Sequence, residues 1–183
     1  MGLLEQQNVL ARLYTDAKFE QDFRADPEKV GDENGLSSNE IADINSIASE
    51  ELEFFSESLI WKRLREVEKM MPLTRKILGD DFRPAFLEFA PTFNPGGIKK
   101  HLEDAVEFCR FLENGDGSEL AKDAAIFERT KLTFLNSNSI ATFCRLKHDL
   151  RPKLKQDDPT NSVKRTSFAV WFRLGGRVRH FIR

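Results

Sequence analysis

Hydrophobic residues recur at helical spacing through most of the chain and at every second position near its end. Ile60, Leu64 and Val67 are separated by four and three residues, which places them on one face of a helix. After residue 138 the apolar period becomes two, which is the repeat of a β-strand. The pattern therefore predicts several helices followed by a small sheet.

The N-terminal region predicts three helices separated by turn signals. The first runs from Leu3 to about Arg24. The second begins at Pro27, because proline suits the first position of a helix, and an Asn-Gly pair ends it. Ser37 and Glu40 have the spacing of a capping box and start the third helix.

Longer helical segments follow in the middle of the chain. One covers about residues 50–71 and ends before Pro72, which opens a short helix of its own. Further helical segments cover about residues 82–89 and 98–113. Residues 119–135 fit helical spacing poorly and alternate near their end, so helix and strand both stay open there.

Three strands are predicted near the C-terminus. Residues 140–147 and 168–174 alternate, and Gly175-Gly176 is a two-residue hairpin turn that leads into a return strand at 177–183. Between the first two strands, residues 151–166 are polar and rich in turn formers, which predicts a long loop.

These elements predict an α+β fold, with an N-terminal helical bundle followed by a small antiparallel β-sheet of about three strands. Residues 114–118 contain two glycines and form the best linker candidate. The linker divides the chain into a helical domain, residues 1–117, and a small basic β-containing domain, residues 118–183.

The sign of the charge reverses where the period changes. Residues 1–140 contain 17 Lys and Arg against 27 Asp and Glu, whereas residues 141–183 contain 11 against 3. The net charge of −2 for the whole chain hides this asymmetry. A basic β part joined to an acidic helical part indicates a binding protein, because the basic surface attracts an acidic partner.

The sequence points away from an enzyme, a metal protein and a membrane protein. Cys109 and Cys144 form no CxxC motif, which favours a reducing, cytoplasmic location. His101, His148 and His180 lack the spacing of metal ligands. No apolar run reaches the ~20 residues that a membrane span needs. We therefore expect no catalytic residue, no metal, no cofactor and no membrane association.

The basic strands are the candidate binding site. Cations alternate along them with aromatic rings. This surface either binds an acidic partner or is an ordinary solvated surface on which arginine stems cover the rings. Both interpretations stay open. The candidate partner-binding residues are Arg145, Lys147, Trp171, Arg173, Arg177, Arg179, His180, Phe181 and Arg183. Further groups of the same kind are Phe143, Arg151, Lys153, Lys155, Lys164 and Arg165.

Three segments carry a family resemblance: LARLYTDAKFEQDFRADPEKVGDENGLSSNEI at residues 10–41, LEFFSESLIWKRLREVEKMMPLTRKILG at 52–79 and AVWFRLGGRVR at 169–179. They resemble the partner subunits found beside iron-dependent peptide-modifying oxidases of the methanobactin type. The resemblance implies a non-catalytic subunit whose helical part docks on a metal-bearing barrel enzyme. It also implies that the β part captures the leader of a ribosomally made peptide. The helix starts of the first segment are also similar to the small helical subunit of extradiol dioxygenases.

The function we expect is recognition of an extended acidic peptide or protein segment, which adds a strand to the sheet and is selected by the arginines. The resemblance implies one such peptide, the leader of a ribosomally made precursor for a metal-dependent oxidase. The alternative is nucleic-acid binding by the same cations, with Phe143, Trp171 and Phe181 as stacking groups. The acidic body and a pI near 6.0 speak against that alternative.

Overall fold

The computed structural model of the protein describes residues 3–47, 49–151, 154 and 164–183. It confirms the α+β fold, with helices followed by a three-stranded antiparallel sheet. The helices are α1 Leu3–Thr15, α2 Ala17–Ala25, α3 Pro27–Glu33, α4 Ser38–Asn45, α5 Ser49–Met70, α6 Pro72–Leu78, α7 Phe82–Phe89, α8 Lys100–Asn114 and α9 Glu119–Leu135. The strands are β1 Ala141–Leu146, β2 Ser167–Leu174 and β3 Arg177–Ile182.

Side-chain caps set the starts of the N-terminal helices. The single helix expected from Leu3 to about Arg24 is wrong, because Asp16 has an extended backbone and its carboxylate accepts the N–H of Phe19 at 3.0 Å, which starts α2 as a separate helix. The predicted capping box is confirmed. The Ser37 N–H donates to the Glu40 carboxylate at 2.8 Å, and the Ser37 hydroxyl accepts from the Glu40 N–H.

The chain forms two compact units. One comprises Met1–Lys62 and Ala90–Asn94, and the other comprises Arg63–Phe89 and Pro95–Arg183. The boundary expected near residue 117 lies inside the second unit, between α8 and α9. The core of the first unit contains the buried residues Val9, Leu13, Phe19, Phe23, Leu36, Ile41 and Ile44.

In the second unit, α9 lies between α8 and the sheet. Its buried residues include Ala125, Phe127, Phe134 and two carboxylates, Asp123 and Glu128. Because the helix is packed on more than one side and buries acidic residues, it has no single apolar stripe. This explains why spacing alone did not identify residues 119–135 as a helix.

The sheet has the order β1-β2-β3, and all pairs are antiparallel. Ala141 lies opposite Phe172 in the first pair, and Leu174 lies opposite Arg177 in the second. Gly175-Gly176 joins β2 to β3, with φ values of 56° and 75° that glycine adopts without strain. Among the residues that the structure describes, no helix is long and apolar enough to cross a membrane.

Candidate functional site

The sheet has an inner face that belongs to the core of the second unit. Ala169 and Trp171 of β2 and Cys144 and Leu146 of β1 are buried in one cluster with residues of α9. The ring centroids of Trp171 and Phe127 are 4.9 Å apart. Because strand side chains alternate, the residues between these positions point away from α9.

We call the opposite side the outer face. Its residues on β1 and β2 are mostly apolar, and those on β3 and at its end are mostly arginine. The outer face consists of Ala141, Phe143, Arg145, Phe168, Val170, Phe172, Leu174, Arg177, Arg179, Phe181 and Arg183. Phe143, Phe168 and Phe181 are 71%, 45% and 51% exposed, so these rings remain accessible to a partner.

The register groups these side chains into rows across the strands. Phe143 and Phe181 both lie opposite Val170, which gives a row with an exposed ring at each end. In the next row, Phe168 lies opposite Arg145 on one side and exchanges both backbone hydrogen bonds with Arg183 on the other, at 2.8 and 3.0 Å. Cation and ring therefore alternate on one exposed surface.

The cations of the outer face have no acidic partner in the part of the chain that the structure describes. Arg145, Arg177, Arg179 and Arg183 are exposed, and within the described ranges none of them forms an ion pair or donates a side-chain hydrogen bond. Four positive charges are thus concentrated on one side of a small sheet without local neutralisation. A surface of this kind attracts acidic segments.

β3 is one of the two edge strands of the sheet, and its pairing shows which of its backbone groups are free. Because Phe168 and Arg183 form a hydrogen-bonded pair, alternation also makes Val170 and Phe181 a hydrogen-bonded pair. The residues between them on β3 direct their N–H and C=O groups outward from the sheet. These residues are Val178, His180 and Ile182, and residues 177–181 are all exposed.

Two of the predicted site residues contact the rest of the second unit instead of facing outward. Trp171 is only 2% exposed and lies on the inner face, so it cannot stack on a partner at the outer face. Arg173 lies on the inner face as well. Its guanidinium donates to the carbonyl oxygens of Phe134, at 3.0 Å, and of Ser139, and lies 4.5 Å from the Phe134 ring centroid. We therefore assign both residues to stabilising the fold.

Lys147 also has a local partner. Its ammonium donates to the Glu119 carboxylate, and this contact raises the pKa of Lys147 and lowers the pKa of Glu119. Both side chains are exposed, so solvent screens the pair and its contribution to stability is small. Glu119 of α9 thus neutralises Lys147, whereas no described carboxylate pairs with the outer-face arginines.

The remaining predicted cations are divided between the end of β1 and the long loop. Arg151 donates to Asp149 at 2.6 Å, and this pair lowers the pKa of Asp149. Lys164 and Arg165 are exposed. Lys153 and Lys155 lie outside the described residues, as does most of the loop predicted at 151–166.

A buried carboxylate that the sequence did not reveal fixes the end of β1. The Asp123 carboxylate accepts the N–H groups of Lys147 and His148, at 2.9 and 2.8 Å, and lies 2.7 Å from Nδ1 of His148. His148 is therefore held in place as a structural group beside the sheet. Within the described part of the chain, no three His, Cys, Asp or Glu side chains are grouped so that they could hold a metal ion.

The outer face also contains residues that sequence reasoning did not assign to the site. Phe168, Phe172 and Leu174 lie there beside the arginines. The signal for them was the alternation of apolar residues along β2, out of phase with Trp171. Both sets of positions contain large apolar side chains, so the alternation did not indicate which set is exposed.

The comparisons with known proteins concern the helical part of the chain. Residues 46–114 match the family model described as the SCO6045-like C-terminal domain. This segment runs from the residue after α4 to the last residue of α8, and thus includes none of the outer face or the β3 edge. No curated protein matches the chain.

Proposed function

We propose that the protein is a non-catalytic recognition subunit that binds an extended acidic peptide segment as an additional strand of its C-terminal sheet. The observation that carries the proposal is the exposed edge of β3, which is bordered on the outer face by arginines that have no acidic partner among the described residues. Main-chain hydrogen bonds along such an edge provide affinity, and side-chain pairs beside it provide specificity.

The electrostatics of the second unit support an acidic ligand. Lys147 and Arg151, near the end of β1, already have carboxylate partners, whereas Arg177, Arg179 and Arg183 have none among the described residues. A peptide carboxylate beside these arginines forms charge-assisted hydrogen bonds, which are shorter and stronger than neutral ones. Binding of this kind weakens as salt is added, because the arginines are exposed.

The proposed source of the peptide is the leader of a ribosomally made precursor that a metal-dependent oxidase modifies. The resemblance of the three segments to partner subunits of such oxidases supports this proposal. The first unit also offers an apolar surface to a protein partner, because Phe54 and Phe55 of α5 are 70% and 51% exposed. We place the complex in the cytoplasm, since both cysteines are unpaired and buried.

A second candidate function is binding of single-stranded nucleic acid. The observation that favours it is the set of exposed rings at Phe143, Phe168 and Phe181, interleaved with arginines on one sheet face. Bases stack on such rings, while arginines contact the phosphates. The formal net charge of −2 opposes this function, because the rest of the protein repels a polyanion.

Titration calorimetry with three synthetic probes tests both candidates. The probes are a glutamate-rich extended peptide, a lysine-rich peptide of equal length and a twelve-residue oligothymidylate. We expect only the glutamate-rich peptide to bind, with an affinity that falls as NaCl is raised from about 50 to 500 mM. Binding of the oligothymidylate alone would favour the second candidate. If neither the glutamate-rich peptide nor the oligothymidylate bound at the lowest salt, the proposal would be wrong.

A matched pair of variants separates local recognition from net charge. Arg177→Ser, Arg179→Ser and Arg183→Ser together should weaken peptide binding at least about 10-fold, since three charge pairs are lost. The control replaces three exposed cations outside the sheet, Lys69, Arg83 and Arg110, by serine. Both variants lose the same charge, so equal weakening would show that binding is nonspecific.

A further inference from the structure

The two edges of the sheet differ in the side chains beside their free backbone groups. On β1 the outward N–H and C=O groups belong to Ala141, Phe143 and Arg145, since Arg173 donates its N–H to Ile140 at 2.9 Å and fixes the pairing. This edge has one cation on the outer face. The β3 edge has three, so the arginine content favours β3 for an acidic strand.

The outer-face order along β3 is Arg177, Arg179 and Phe181, and Arg183 follows directly after the strand. These residues form hydrogen bonds toward β2, so an added antiparallel strand would face them in non-hydrogen-bonded pairs. Side chains lie closest together in such pairs, with Cα atoms about 4.5 Å apart. Each outer-face side chain of the added strand is thus in direct contact range of one β3 residue.

We propose that the β3 edge selects a peptide with a defined pattern at alternate positions. From N- to C-terminus, the four residues on the outer face are acidic, apolar, acidic and acidic. The three acidic residues lie opposite Arg183, Arg179 and Arg177, and the apolar residue lies opposite Phe181. This inference rests on the function proposed above and adds the edge, the orientation and the sequence pattern of the ligand. Antiparallel addition continues the pairing of the existing sheet.

The period of the strand makes this pattern selective. Successive side chains of an extended peptide point to opposite faces, so moving an acidic residue by one position removes it from the arginines. On the other face the added strand lies beside Val178 and His180, which present no arginine. A peptide with the same composition in the wrong order therefore retains its net charge but loses the specific pairs.

Two peptides of identical composition test the pattern by fluorescence anisotropy. The first is Glu-Thr-Val-Thr-Glu-Thr-Glu, and the second is Glu-Glu-Val-Thr-Thr-Glu-Thr, each with a fluorescein label on a glycine linker. We expect the first to bind about 10-fold more tightly, since two acidic residues of the second point to the other face and each favourable cross-strand pair contributes up to about 5-fold. Equal, measurable binding would overturn the pattern while leaving the proposed function intact. Failure of both peptides to bind would contradict both the sequence pattern and the proposed function.

Backbone methylation of the peptide tests the edge and its register without changing the protein. The central threonine of the first peptide lies opposite His180 and directs its N–H at β3, whereas the preceding valine directs its N–H away. N-methylation at the threonine should weaken binding at least about 10-fold, and N-methylation at the valine should have little effect. The reverse result would contradict the assigned register.

Proline substitutions distinguish the two edges of the sheet. His180→Pro removes an outward N–H of β3, and Phe143→Pro removes an outward N–H of β1, while neither removes a hydrogen bond to β2. Only His180→Pro should weaken binding of the first peptide, with circular dichroism as the check on folding. Weakening by Phe143→Pro alone would place the ligand on β1 and contradict the inference.

Discussion

The inner and outer faces of the sheet use similar side chains in opposite ways. On the inner face, Trp171 packs against Phe127. The Arg173 guanidinium donates hydrogen bonds to carbonyl oxygens at the end of α9 and in the turn that follows. On the outer face, Phe181 is half exposed, and Arg179 has no partner among the described residues. Packed and exposed side chains thus alternate along strands only six to eight residues long.

This difference shows that residue type alone does not identify a binding residue. An arginine whose donors are already bonded to backbone carbonyls has little left to offer a ligand. An arginine with free donors beside an open strand edge can form new charge-assisted bonds when a carboxylate arrives. The contrast can be tested by changing matched residues on the two faces.

The largest expected effect is the loss of stability on replacing Trp171 by alanine. The side chain is 2% exposed, and its removal leaves a cavity beside Phe127, which costs about 3–5 kcal/mol. At roughly 2–4 °C per kcal/mol for a protein of this size, Tm should fall by about 6–20 °C in a thermal melt followed by circular dichroism.

The control for this melt is Phe168→Ala on the outer face. Phe168 is 45% exposed, so we expect its removal to lower Tm by no more than about 2–3 °C. If both variants lost the same stability, then the outer face would also be packed in the folded protein. The distinction between a structural face and a proposed binding face would then be wrong.

The second prediction concerns thiol reactivity at two adjacent positions of β1. Burial raises the pKa of Cys144 to about 11, so only about 0.1% of it is thiolate at pH 8, against roughly a quarter of an exposed cysteine. Phe143 is 71% exposed on the other face. Iodoacetamide should therefore react with Cys144 at least about 100-fold more slowly than with a cysteine introduced by Phe143→Cys.

Two variants make this labelling comparison clean. One carries Cys109→Ala and retains Cys144 alone, and the other combines Cys109→Ala, Cys144→Ala and Phe143→Cys. Mass spectrometry follows both reactions at pH 8, and denaturation in guanidinium should bring the two rates close together. Similar rates in the native state would mean that β1 does not keep its two faces distinct.

The sequence predicted the strands and their turn, but not which face of β2 is buried. Alternation at 168–174 and the Gly175-Gly176 turn were sufficient for the hairpin, because both are local properties. The set with Phe168 is more apolar than the set with Ala169 and Trp171, yet it lies outside. Packing against α9 determines the choice, and that contact joins residues distant in the chain.

The same limit explains why the candidate site was predicted only in part. The arginines of β3 could be identified from composition and alternation, and the structure leaves them exposed. The role of Arg173 depends on carbonyl oxygens of Phe134 and Ser139, at sequence separations of 39 and 34 residues. Asp123 likewise acts on the N–H groups of residues 24 and 25 positions away. No local spacing reports such contacts.

The smallest expected effect separates Arg173 from Arg179, two arginines of the same hairpin. Arg173→Ala removes a hydrogen bond from a charged group to the partly buried carbonyl of Phe134, exposed hydrogen bonds to the carbonyls of Leu135 and Ser139, and the contact to the Phe134 ring. We expect a loss of about 1–3 kcal/mol in the free energy of unfolding, measured in urea, and little change in affinity for the acidic peptide.

Arg179→Ala should give the opposite result, because its side chain is exposed and has no partner within the described part of the chain. The urea midpoint should stay near that of the wild type, whereas peptide affinity should fall about 2- to 5-fold for the loss of one cross-strand charge pair. The test is whether Arg173→Ala mainly lowers stability while Arg179→Ala mainly lowers peptide affinity, rather than the size of either change. If Arg179→Ala destabilised the protein and Arg173→Ala impaired binding, the two faces would have exchanged roles, and the assignment of β3 as the binding edge would be wrong.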